Sequence, residues 1–182
     1  LTRILSVNPL WNVLSVLMSE EGEEKNNHFL IRMFNLNKVL DGPMRDVYFE
    51  MDGYPAQFAL TNELSTFVIL TEGQKLLFID AHDGSPIPEL ASKVAGVQCN
   101  DFVLSHSENL LFCLSKNNIV IYSLEQMLKN IKIIPILFNK SELAIDSLIL
   151  NENHKVLLFQ EESKITMLKC RSEEHTSELQ SH

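Results

Sequence analysis

The stretch Phe102-Val-Leu-Ser-His-Ser-Glu-Asn-Leu-Leu-Phe-Cys-Leu114, followed by Ser115-Lys-Asn-Asn118 and Ile119-Val-Ile-Tyr-Ser-Leu124, decides how this chain is read. It runs short apolar segment, polar turn, continuously apolar segment, second polar turn, alternating segment. Short runs of β-branched, aromatic and Leu residues between turn formers read as strands. The same order occurs without gaps at Phe58-Ala-Leu-Thr-Asn-Glu-Leu-Ser-Thr-Phe-Val-Ile-Leu70, with Lys75-Leu-Leu-Phe-Ile-Asp80 after it. It occurs again at Leu148-Ile-Leu-Asn-Glu-Asn-His-Lys-Val-Leu-Leu-Phe-Gln160, followed by Ile165-Thr-Met-Leu-Lys-Cys170. Leu60 to Leu104 is a step of 44 residues, and Leu104 to Leu150 one of 46. Such a period marks a repeat architecture, in which each copy is one supersecondary unit.

A fainter copy precedes these three. Asn8-Pro-Leu10 sits 54 residues before Asn62-Glu-Leu64, with Val13-Leu-Ser-Val-Leu-Met18 and Phe29-Leu-Ile-Arg-Met-Phe-Asn-Leu36 after it. Its extra length falls in Ser19–His28, an expanded surface connection. The central runs Phe67–Leu70, Leu110–Leu114 and Val156–Phe159 are apolar throughout, as in strands covered on both faces. A fourth run fills each gap: Arg45–Glu50, Ser92–Val97 and Lys132–Leu137, the last tolerating Pro135 only as an outer strand. Glu72-Gly73 and Asn117-Asn118 are the expected positive-φ turn positions. Leu124–Asn130 is the one convincing helical stretch.

Four strands in about 45 residues resemble a blade of a WD40-type β-propeller. Met33-Phe-Asn-Leu36, Phe78-Ile-Asp80 and Ile121-Tyr-Ser-Leu124 resemble the end of the third blade strand, and Asp80-Ala-His-Asp-Gly84 the turn after it. The family's Trp-Asp and Gly-His signatures are absent. The expected fold is therefore all-β: an incomplete β-propeller of roughly three clear four-stranded blades plus a partial N-terminal one. The blades are expected at 4–50, 56–97, 100–137 and 146–170, the last partial. A kelch-like propeller or a sandwich is the alternative. An open run of blades leaves apolar faces and strand edges uncovered, so association with other chains is expected.

Composition bounds the function. The 182 residues are 45% apolar, with 15 Lys+Arg against 24 Asp+Glu and a net charge of −9, which argues against a phosphate-backbone footprint. Cys99, Cys113 and Cys170 are too scattered for a disulfide framework. No apolar run reaches the ~18 residues that cross a bilayer, and the first residues lack a signal-peptide pattern. A cytoplasmic chain is expected, without nucleic-acid binding or membrane insertion. The twelve residues Arg171-Ser-Glu-Glu-His-Thr-Ser-Glu-Leu-Gln-Ser-His182 resemble the in-frame translation of a common short-read sequencing adapter. They are expected to be a non-native, disordered tail and are set aside from the fold. Without them, 14 Lys+Arg stand against 21 Asp+Glu, a charge of −7. The chain also starts at Leu1 in mid-pattern, so the parent protein is expected to extend beyond both ends.

Chemistry-bearing constellations are sparse. His82 with Asp80 and Asp83 has metal-ligand residue types, but Asp-Gly beside a His is ordinary hairpin chemistry. His106 with Glu108, and His154 with Glu152, occupy equivalent turns of successive copies and so one rim of a propeller. Glu20, Glu21, Glu23 and Glu24 crowd the expanded connection, a candidate contact for a basic partner. Trp11 and the cysteines read as core. Asn139-Lys-Ser141 matches a glycosylation sequon by chance. No phosphate loop, His-Glu-x-x-His or nucleophile elbow is present, so no catalytic residue, metal or cofactor is expected. The expected role is a non-catalytic protein-interaction scaffold within a larger multidomain protein. A trafficking or tethering subunit fits, as does a NACHT–WD-type signalling protein. Its partners are other proteins and the remaining blades of the same parent chain. The alternative is a propeller-supported enzyme such as a hydrolase. That reading needs ionisable residues at the innermost strand starts, where Ala56, Phe58, Phe102 and Leu148 stand instead.

Overall fold

A computed structural model describes residues 3–20, 27–116, 118–129, 136–139, 147–151, 156–161 and 164–169. Two compact units divide the chain, Leu1–Val97 and Gln98–His182. Residues 21–26 of the acidic connection, Asn117, Pro135, Ser141, Glu152, His154, Cys170 and residues 171–182 lie outside the described residues.

In the first unit, β1 (Arg3–Asn8), β2 (Val13–Glu20), β3 (Asn27–Asn35) and β4 (Arg45–Met51) form an antiparallel meander in chain order. Pairing of Leu17 with Ile31, and of Phe29 with Phe49, sets alternate residues on one face. That face carries Val13, Leu17, Phe29, Ile31, Met33, Val47, Phe49 and Met51 into a buried core. The Phe29 and Phe49 rings stack with centroids 5.5 Å apart. The N-terminal sheet, expected to be partial, thus has all four strands.

The second sheet packs on it through Phe58, Leu60, Phe67, Ile69 and Ile79. It consists of β5 (Pro55–Leu60), β6 (Thr66–Thr71) and β7 (Leu76–Asp80), in the order β5-β6-β7. Every residue of β6 is buried, as its unbroken apolar run requires. The hairpin after β6 places the left-handed residue at Gln74 (φ 61) rather than at Glu72-Gly73. Gln74 N donates to Thr71 O at 2.9 Å, and Lys75 N donates to the Thr71 hydroxyl at 3.1 Å. A three-residue loop of this kind turns first in the right-handed region and puts its positive φ last.

The expected fourth strand at Ser92–Val97 does not form. The chain enters α1 (Pro88–Lys93) instead. Pro88 starts the helix, Glu89 and Lys93 complement its two ends, and Leu90 and Val94 are buried four residues apart. The helical spacing of two apolar residues outweighs the short strand-like pattern. Just before it, Asp80 N donates to Ser85 O and Ile87 N to Phe78 O, both at 2.8 Å. Those two bonds cover part of the β7 edge, a usual way of blunting an exposed strand.

In the second unit, β8 (Asp101–Ser105), β9 (Leu110–Ser115), β10 (Asn118–Ser123) and β11 (Ile136–Asn139) form a four-stranded sheet in the order β11-β10-β9-β8. The expected helix appears as α2 (Leu124–Leu128), capped by Ser123 and carrying an ion pair between Lys129 and Glu125. In the β9–β10 turn Lys116, the residue directly after β9, has a positive φ of 55°, and Asn118 of the expected pair is already the first residue of β10. Of the expected outer run Lys132–Leu137, Ile136 and Leu137 lie in β11, and residues 132–135 lie outside the described residues. A last sheet joins β12 (Ser147–Asn151), β13 (Val156–Glu161) and β14 (Lys164–Lys169). Leu148 and Leu157 pack against Phe112, Leu114 and Ile119, and Leu148 N donates to Asp101 Oδ2 at 2.9 Å.

Candidate protein-binding rim

Because the first sheet is a meander, the β1–β2 turn and the β3–β4 connection lie at the same end of it. Asn8, the last residue of β1, organises that end. Its buried amide Nδ2 donates to Leu60 O at 3.3 Å and Thr61 O at 3.2 Å, at the end of β5. Its Oδ1 accepts from Trp11 N at 3.2 Å. Asn12 takes a left-handed φ of 51° directly before β2, and its carbonyl accepts from Leu36 N at 2.7 Å. The Trp11 indole Nε1 donates to Asn62 O at 2.7 Å in the β5–β6 turn. This bond ties the two sheets together at their rim and fixes the ring there.

Trp11 is 56% exposed, so the expectation that it belongs to the core is wrong. A bonded N–H holds the indole in place while most of its ring faces outward. Around it the β3–β4 connection presents more apolar surface. Leu36–Asp41 forms 3-10 turns, kinked at Lys38 and capped by the Asn35 side chain. Leu10, Leu36, Val39 and Met44 are all exposed, and Leu40 is 102% exposed. Six large apolar side chains thus stand at one end of one sheet. The signal for them was present in Leu36-Asn-Lys-Val-Leu-Asp-Gly-Pro-Met44, where apolar residues are spaced for no strand and interrupted by breakers.

The residues singled out from sequence are dispersed. His82 is exposed in the turn after β7, at the same end of its sheet as the β5–β6 turn. There the Asp80 Oδ1 accepts from His82 N at 2.7 Å, and Asp83 Oδ1 from Ser85 N at 2.8 Å. Both carboxylates brace the turn. The Ser85 hydroxyl, and then its backbone N–H, hold the Asp83 carboxyl below the usual range. Among the described residues no group of three or more His, Cys, Asp or Glu side chains is placed to hold a metal ion. Glu20 ends β2, and therefore marks the opposite end of the first sheet from Trp11; Glu21, Glu23 and Glu24 lie outside the described residues. At that opposite end His28 Nδ1 lies 3.2 Å from Glu50 Oε1. His106 belongs to the second unit, in the β8–β9 turn, and is only 8% exposed. His154 lies outside the described residues.

Cys99 and Cys113 are free and fully buried. The Cys99 Sγ–H donates to Asp101 O at 3.2 Å. The neighbouring Cys113 thiol first, and burial second, push the Cys99 thiol far above its ordinary range. A thiol that cannot ionise is a poor nucleophile and a poor metal ligand. Burial likewise pushes Tyr122 up to about 12, with Cys113 and Cys99 adding to it. None of the described helices is long and apolar enough to cross a membrane.

No family model and no curated protein matches this chain. Solved structures do. The β-propeller domain of Cps50 (Swd1) from Myceliophteria thermophila aligns over 97% of this chain and 55% of its own, with a TM-score of 0.62 and 15% identity. The chain has the fold of a divergent WD40-like β-propeller. A Dos1 propeller aligns over 90% of the chain and 40% of its own (TM-score 0.61, 12% identity). A mitotic checkpoint complex chain aligns over 93% and 48% (TM-score 0.53, 11% identity). This propeller chain spans about half the length of the structures it matches. At such identities the likeness speaks for the fold alone.

Proposed function

We propose that the chain is a non-catalytic protein-interaction scaffold, the propeller portion of a larger multidomain protein. The observation that carries this is the apolar rim around Trp11. A folded domain seldom leaves Trp, Val, Met and several Leu side chains together in water unless another surface covers them. A WD40-like fold agrees with the role, by analogy of fold. Phe58, Phe102 and Leu148, near the innermost strand starts, are buried and apolar, which gives a hydrolytic reading no support.

A trafficking or tethering subunit, or a NACHT–WD-type signalling protein, is the parent this reading favours, in the cytoplasm. Its blades in this chain are 4–50, 56–97, 100–137 and 146–170. Further blades of the same parent are the natural cover for the outer face of the first sheet, where Leu5 and Val7 are 65% and 50% exposed. His82 joins the rim reading as a polar border residue, and the Glu20–Glu24 cluster stays a separate candidate contact at the other end.

The test is the composition of the native complex. The parent protein carrying Val39→Ser and Leu40→Ser is purified beside the unaltered one and a Glu72→Gln control. Loss of defined subunits from the first variant alone is the expected result. Unchanged composition, or turnover that disappears when ionisable residues near the propeller axis are removed, would overturn the scaffold reading.

A further inference from the structure

The charges that border the apolar rim are unevenly divided. Asp41 lies on the β3–β4 connection itself, and Glu63 follows Asn62, the residue that holds the Trp11 indole. Asp80 and Asp83 stand in the turn after β7, which is fastened to β4 at two points. Arg45 Nη1 donates to Ala81 O at 3.0 Å, and Gly84 packs against the Tyr48 carbonyl. Of the cations there, Lys38 is exposed, whereas Arg45 is committed to Ala81. At this end of the two sheets Asp41, Glu63, Asp80 and Asp83 outnumber Lys38 and Arg45, although Asp80 and Asp83 also accept hydrogen bonds within their own turn. An apolar surface with an acidic border favours an apolar partner that brings positive charge, because complementary fields steer approach and exclude like-charged competitors.

We infer that the rim around Trp11 docks a basic amphipathic segment of a partner protein, its apolar side on Leu10, Trp11, Val39 and Leu40 and its Lys or Arg residues towards Asp41, Glu63 and Asp83. The inference rests on reading the rim as an interaction surface and adds the chemistry of its occupant. The acidic surroundings oppose an acidic segment or an anionic lipid headgroup.

Trp11 is the only tryptophan, so its emission reports occupancy of the rim directly. The full chain is titrated with a synthetic amphipathic Leu–Lys helix and with a Leu–Glu helix of the same apolar face, at low and high salt. The expected result is a saturable blue shift with the Leu–Lys peptide, at least about tenfold tighter than with Leu–Glu and weakened by salt. Leu40→Ser, which keeps the net charge and touches no core, is expected to weaken Leu–Lys binding about tenfold. Asp41→Asn with Asp83→Asn is expected to weaken it about threefold and to flatten the salt dependence. Matching far-ultraviolet circular dichroism confirms that the variants fold.

Binding of Leu–Lys unaffected by Leu40→Ser would show attraction to net charge alone and overturn the inference. So would no shift with either peptide. Equal affinity for both peptides would overturn it too, while leaving the rim as an apolar docking surface and the scaffold reading intact. Loss of the scaffold reading would appear instead as an unchanged native complex.

Discussion

Gly84 sits at φ +81°, where a Cβ would lie 1.9 Å from the Tyr48 carbonyl oxygen. Only a residue without a side chain lets the turn after β7 come this close to β4. Gly84→Ala is expected to cost about 2–4 kcal/mol, read as a lower urea midpoint with an unchanged slope. Asn8 is the other residue on which local geometry depends, since one buried amide serves two carbonyls of β5 and its end and one N–H of the Trp11 turn. Asn8→Ala leaves those groups without their partner and is expected to cost about 2–3 kcal/mol. The contrast is Ser15, whose buried hydroxyl has no hydrogen-bond partner among the described residues. Ser15→Ala is expected to be neutral or stabilising by about 1 kcal/mol in the same denaturation series.

At the scale of elements, β8–β10 carry their own pH dependence. Cys99 precedes β8, Cys113 lies on β9 and Tyr122 on β10, and the Cys99 thiol and Tyr122 phenol are both held neutral in the fold. A folded pKa above the unfolded one leaves stability intact below the unfolded value and removes it as pH rises further. The second unit is therefore expected to lose stability from about pH 9, where an unfolded thiol ionises, with a further loss between 10 and about 12 as Tyr122 follows. Thermal melts of Cys99→Ser, with and without Tyr122→Phe, across that range check it, because the slope is expected to flatten in the variants. In the native chain neither Cys99 nor Cys113 should react with a thiol reagent until urea unfolds the sheet. The same scale explains α1: two apolar residues four apart, with Pro at the start, let a helix cover β7 where a strand was expected.

Over the whole molecule the deciding quantity is apolar surface left on blade faces. Pairing of Leu5 with Val16 and Val7 with Leu14 puts these residues on the face of the first sheet opposite its core. In the second unit Ile149 is exposed on β12 while its neighbour Leu148 is buried. Propellers bury such faces by packing blade on blade. Leu5→Lys with Val7→Lys is expected to suppress concentration-dependent association of this chain in sedimentation velocity while shifting its melting temperature little. A large loss of stability would mean that this face is already packed.

The alternating and continuous apolar runs determined the strands and their faces: β6 is buried along its length, and β2 buries every second residue from Val13 to Leu17. Hydrophobic periodicity is a local property of the chain, and so is the Ser123 cap that starts α2. The repeat spacing likewise marked the copies, because each hairpin-linked sheet is a local unit. What lay beyond the sequence depends on which surfaces meet. Trp11 reads as core until Asn62 is brought to its indole from 51 residues away. His106 reads as a turn residue in water, whereas in the fold it is buried. The rim itself arises because two connections distant in sequence end at one edge of a meander, and burial there is set by tertiary neighbours and not by the order of residues along a strand.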